Sequence, residues 1–166
     1  MYIIVVFVLA VVSILTLHMS GGILNPSMGN VNWGISWFLD LPSILLMILF
    51  VIPILVGSGV CKDINRAFAM VIHRKKEYTL TELKHGAHAI SVLMRAVLLA
   101  GLYVTVISFV VLFANIYALE GMEMGKICAN IAIAILPVFY MLMIELLLLP
   151  VQASLKRRII DFMGEV

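Results

Sequence analysis

The placement of charge constrains this chain more than any other feature. Its eleven Lys and Arg and nine Asp and Glu residues crowd into short stretches of the 166-residue sequence. Between them lie four blocks with one charge or none, about 2–18, 42–60, 94–117 and 127–149. A helix needs about 20 apolar residues to cross roughly 30 Å of hydrocarbon, so each block qualifies as a span. Composition agrees, with 64% of residues apolar and 12% charged, whereas a soluble domain is about half apolar and a quarter charged. The expectation is an all-α integral membrane protein, one domain over 1–166 with four transmembrane helices, the third and fourth long. Nothing basic precedes the first block. It therefore reads as a retained span, with a cleaved signal peptide as the alternative.

Orientation follows from the basic residues, because Lys and Arg in short loops stay on the cytoplasmic side. Lys62, Arg66, Arg74, Lys75, Lys76, Lys84 and Arg95 lie between or beside spans two and three, and Lys156, Arg157 and Arg158 follow span four. Lys126 is the exception. This places both termini in the cytoplasm, in a cell membrane, and leaves two short external loops, Met19 to Leu41 and Ala118 to Lys126, carrying Asp40, Glu120 and Glu123. Cys61 and Cys128 fall on opposite sides, which excludes a disulfide between them.

The cytoplasmic connection, about 61–93, has its own pattern. Ile64, Ala67, Phe68, Val71 and Ile72 recur at helical spacing with Lys62, Asp63, Asn65 and Arg66 between them, which predicts a short amphipathic helix. Thr79 and Glu82 then have the spacing of a capping box and start a new helix at Leu80. No proline interrupts the chain from Leu80 to Tyr117. The helix is expected to run as one rod of roughly 57 Å, longer than a bilayer is thick, with the amphipathic helix packed beside it.

Polar and small residues of the last two spans form stripes. Gly101, Thr105, Ser108, Leu112 and Asn115 fall within about 80° of arc on one helix, and Asn130, Ala134, Pro137, Met141 and Glu145 do so on the other. One reading is helix packing, since small and hydroxylated residues permit close approach in lipid. The other is a wall facing an ion path or a partner helix. Glu145 favours the second, because a carboxylate within a span is costly and marks a functional site by default. It lies roughly 15 Å from Lys156 along the helix, with water or Arg95 across the bundle as candidate partners. Pro53 and Pro137 each free a backbone carbonyl within their spans. His85 and His88, with His73 nearby, lack a third ligand at metal spacing and read as solvated. The Met residues read as apolar filler. Nothing in the sequence supports an enzyme, a cofactor or a nucleic-acid partner.

Several stretches resemble the stator subunits of the MotA/TolQ/ExbB proton-channel family. Phe38-Leu39-Asp40-Leu41-Pro42-Ser43 looks like the family's Asp-x-Pro-Ser at the start of its second span. Lys62-Asp63-Ile64 with Thr81-Glu82-Leu83 resembles the stretch beyond that span in flagellar stators. Ala114-Asn115-Ile116, Gly125, and Leu149-Pro150 ahead of Lys156-Arg157-Arg158 resemble the last hairpin. The resemblance implies a homo-oligomer, a pentamer, surrounding single-span partner helices whose intramembrane aspartate carries the proton, with Thr105 matching a threonine of the family's third span. The chain departs from the pattern at Val97 and Leu98, where stators carry a proline, and at Leu136, Pro137 and Val138, where they carry paired threonines. Some 35 residues stand where the family has a large cytoplasmic domain. The competing reading is a non-conducting tetraspan scaffold that holds another membrane protein through the same faces.

Overall fold

In the computed structural model the described residues are 40–72, 78–116 and 124–164, and their regular structure is entirely helical. Four helices follow one another: α1 (Leu41–Gly57), α2 (Cys61–Ile72), α3 (Leu80–Ile116) and α4 (Met124–Gly164). The expected first span, about 2–18, lies outside the described residues. By length and composition α3 and α4 can each cross a membrane, and α1 with α2 forms a third candidate only as a bent pair.

Asp40 precedes α1, and its carbonyl accepts the first helical bond, from the Ile44 N–H at 3.1 Å. Pro42 sits at the helix start, where a missing N–H costs nothing. The block expected at 42–60 ends earlier, at Gly57. Ser58 folds its hydroxyl back onto the Ile54 carbonyl at 2.7 Å, and Gly59 takes φ +68°, a left-handed backbone that glycine adopts without steric cost. The chain then turns through 97° into α2. An amphipathic helix belongs at such a corner, since its apolar side needs a partner that the axis of α1 does not offer.

That partner is the end of the α3–α4 hairpin that carries the basic residues. Ala67 and Met70 of α2, Leu83 and Ile90 of α3, and Val151 and Leu155 of α4 form one buried cluster. Gly86 lets α2 lie close, since a Cβ there would sit 3.4 Å from the Ala67 Cβ. The Arg158 guanidinium donates to the Met70 carbonyl at 3.0 Å, tying the last turn of α2 to α4. The capping box forms as expected: the Glu82 N–H donates to Thr79 Oγ1 at 3.3 Å, and the Thr79 N–H donates to Glu82 Oε2 at 3.1 Å. Two orphan donors are satisfied, and α3 starts where the spacing predicts.

α3 runs unbroken for 37 residues, about 55 Å. α4 is longer than the block 127–149 suggests. It continues through Pro137 and Pro150 to Gly164, so Lys156, Arg157 and Arg158 belong to a helix packed on α2 instead of a loose tail. A second buried cluster, Met47 of α1, Val97 and Val104 of α3, and Met141 of α4, holds the other half of the bundle together. Beyond these clusters many large apolar side chains stay uncovered, among them Leu49, Leu99, Val106 and Leu146. Exposure on that scale fits lipid or further protein and not water.

Candidate functional site

α3 and α4 run antiparallel, and their register is set at Gly101. A Cβ there would lie 2.7 Å from the Cβ of Met141, so the two backbones meet as closely as glycine permits. Gly101, Leu112, Ala134, Pro137 and Met141, members of the two stripes, are buried between helices of the same chain. This part of each stripe is helix packing. The Thr105 hydroxyl donates to the Gly101 carbonyl at 2.8 Å, and the Ser108 hydroxyl donates to the Val104 carbonyl at 2.9 Å. Both hydroxyls are therefore satisfied within α3, yet each oxygen keeps accepting capacity toward a neighbour.

The remaining polar residues separate into two places. At the end of the bundle away from the basic residues, α1, α3 and α4 frame a cleft of about 560 Å³. Its polar lining is Asp40, Ser43, Ser108 and Asn130; Leu46, Leu112 and Ala134 form part of its apolar walls. Ser43 donates its hydroxyl to the Asp40 carboxylate, and the Asp40 N–H donates to the Tyr140 hydroxyl at 2.8 Å. In sequence Asp40 reads as a loop charge and, with Ser43, as part of the stretch that resembles the stators' Asp-x-Pro-Ser, whereas Tyr140 does not stand out.

The second place is the side of the hairpin opposite α1. Tyr103 meets Phe50 of α1 edge-on, with ring centroids 4.8 Å apart, and Tyr140 meets Asp40, so these two residues mark the α1 side. At 100° per residue Thr105 is turned about 160° from Tyr103, and Glu145 about 140° from Tyr140. Thr105 and Glu145 thus share the side of the hairpin away from α1, both half-buried. Glu145 Oε1 is buried and makes no hydrogen bond. The pairing with Arg95 across the bundle does not form within the chain: Arg95 is exposed, and Glu145 Oε1 remains without a partner. The Asn115 side chain lies outside what is described. The ion pairs given by the described residues, Arg66 with Glu82 at 3.3 Å and His85 with Asp63 at 3.9 Å, sit at the basic end and are solvated. No group of three metal-ligating residues occurs among the described residues.

Fold and site together define a chain whose described residues form helices, two of them long and apolar enough to cross a membrane. No family model matches it, and no curated protein or solved structure is significantly similar to it.

Proposed function

We propose that the protein is a stator-like subunit of an ion-driven complex in the cytoplasmic membrane, with the proton as the ion. Several copies, five in the simplest reading of the resemblance, ring the single-span helices of a partner, with both termini of each copy in the cytoplasm. One observation carries the reading: Thr105 and Glu145 share the side of the hairpin away from α1, and a carboxylate oxygen there is buried with no partner. In a ring whose outer layer is α1, that side faces the axis. A carboxylate placed there is positioned to take up a proton or to stabilise a cation passing along the partner helix, which a lipid-facing acid is not. The order of elements gives further support, a short helix, an amphipathic helix turned 97° from it and two long helices.

A second reading has its own observation. The Gly101–Met141 contact and the burial of Leu112, Ala134 and Pro137 account for half of the stripe residues as packing alone, and the Thr105 and Ser108 hydroxyls are satisfied within α3. On that basis the chain is a non-conducting scaffold. Native mass measurement of the complex extracted with its partner, combined with proton flux in vesicles, separates the two. Multiple copies around a smaller number of single-span chains with proton flux is the expected result. A multi-copy complex without flux favours the scaffold, and a monomer rejects the ring.

A further inference from the structure

Glu145 and Arg95 are the two charges inside the apolar blocks of α3 and α4, and they lie at nearly the same depth. From the Gly101–Met141 contact, Glu145 is four residues, about 6 Å, toward the basic end of the bundle. Arg95 is six residues, about 9 Å, in the same direction on the antiparallel helix. The offset of about 3 Å is well within the reach of an arginine. They nevertheless cannot meet in one chain. Gly101, which stands against Met141, marks the α4-facing side of α3, and Arg95 is exposed and turned about 120° from it, outward. Glu145 flanks the packed face of α4, 40° round from Met141 on the helical wheel, at about 100° per residue.

We infer that Arg95 of one copy pairs with Glu145 of the next, completing in the ring a site that each chain holds only half of. The inference rests on the ring proposed above. A closed ring is built from heterologous contacts, in which one face of a copy meets a different face of its neighbour. Complementary groups must then stand at equal height on different faces of one subunit. Arg95 and Glu145 meet this condition, and each solves the other's difficulty. A buried carboxylate oxygen gains a charge-assisted donor, and an arginine directed outward from α3 gains a counter-charge where water is scarce. Glu145 can then hold its charge beside the path while bound to the neighbour, so the state of one subunit is felt by the next.

The test is a double-mutant cycle on assembly. Subunit dissociation is measured by native mass spectrometry for wild type, Glu145→Gln, Arg95→Gln and the double variant, and for the exchanged pair Glu145→Arg with Arg95→Glu. Each single neutralisation should weaken assembly about tenfold or more, the double variant should cost little beyond either single one, and the exchanged pair should recover most of the wild-type mass. In addition, two differently tagged chains lacking Cys61 and Cys128, one Glu145→Cys and one Arg95→Cys, should join through a short bis-maleimide. Additive effects of the single variants in a protein that still forms rings, or cross-linking absent between chains, would overturn the pairing while leaving the ring intact. A monomeric wild type would overturn both.

Discussion

Replacing Gly101 by alanine probes the contact on which the register of the hairpin depends. The added Cβ would stand 2.7 Å from the Met141 Cβ and 3.1 Å from its Cγ and Sδ. Carbon atoms rest comfortably at about 3.5–4.0 Å, so roughly 1 Å of separation must be found. A new rotamer of Met141 moves Cγ and Sδ but not Cβ, which is fixed to the α4 backbone. The helices themselves must part, and overpacking of this kind costs about 1–3 kcal/mol. Alanine returns up to about 1 kcal/mol through its higher helix propensity. The net expectation is a loss of about 1 kcal/mol. Gly57→Ala supplies the control, because nothing lies within 4 Å of its added Cβ; it should leave stability unchanged or raise it slightly. Unfolding in mixed micelles with increasing SDS, followed by helical circular dichroism, measures both. The steric cost appears as the difference between them, about 1–3 kcal/mol. Equal stability of the two variants would refute the close approach, and with it the shared depth of Arg95 and Glu145. Met141→Gly in the Gly101→Ala background removes the opposing Cβ and should recover part of the loss, though the second glycine limits the gain.

Thr79→Ala removes one half of the capping box and should cost about 1 kcal/mol, seen as faster amide exchange confined to the first turn of α3. Glu145→Gln should preserve the fold and strongly reduce ion-driven work by the complex; full activity in an assembled complex would leave Glu145 as a packing residue. Cysteines at positions 105 and 145 should react with water-borne maleimide faster than cysteines at Leu99 or Leu146, and equal labelling would reject an aqueous path beside the hairpin. Arg158→Met removes the donor to the Met70 carbonyl and should loosen α2, costing about 1 kcal/mol and raising exchange in its last turn.

The elements were largely legible because each is written locally. Blocks with one charge or none mark helices that only lipid or other helices can cover, Thr79 and Glu82 mark the start of α3, and the absence of proline from Leu80 to Tyr117 permits its length. The amphipathic period of α2 likewise says that the helix must rest one side on something. Signals of this kind are read from residues within a turn or two of one another. The end of α4 escapes such a reading for the opposite reason. Lys156, Arg157 and Arg158 look like a solvated tail until Val151 and Leu155 are seen packed on Ala67 and Met70, residues more than eighty positions earlier.

Which stripe residues do what was decided only by tertiary structure. Period alone placed Gly101, Thr105, Asn130 and Glu145 on common faces, but a helical wheel has no knowledge of where its neighbour lies. The contact of Gly101 with Met141, with the burial of Leu112, Ala134 and Pro137, turns five of the ten stripe residues into packing. The position of α1 then divides what remains, leaving Ser108 and Asn130 in the cleft beside Asp40, and Thr105 and Glu145 on the far side. Arg95 and Glu145, a candidate pair by sequence, are held apart because the contact of Gly101 with Met141 turns Arg95 outward. Local chemistry chose the helices and, for α3, the start and the length. The rotation of each helix about its own axis, which only side-chain packing between distant residues can fix, determined which charges meet.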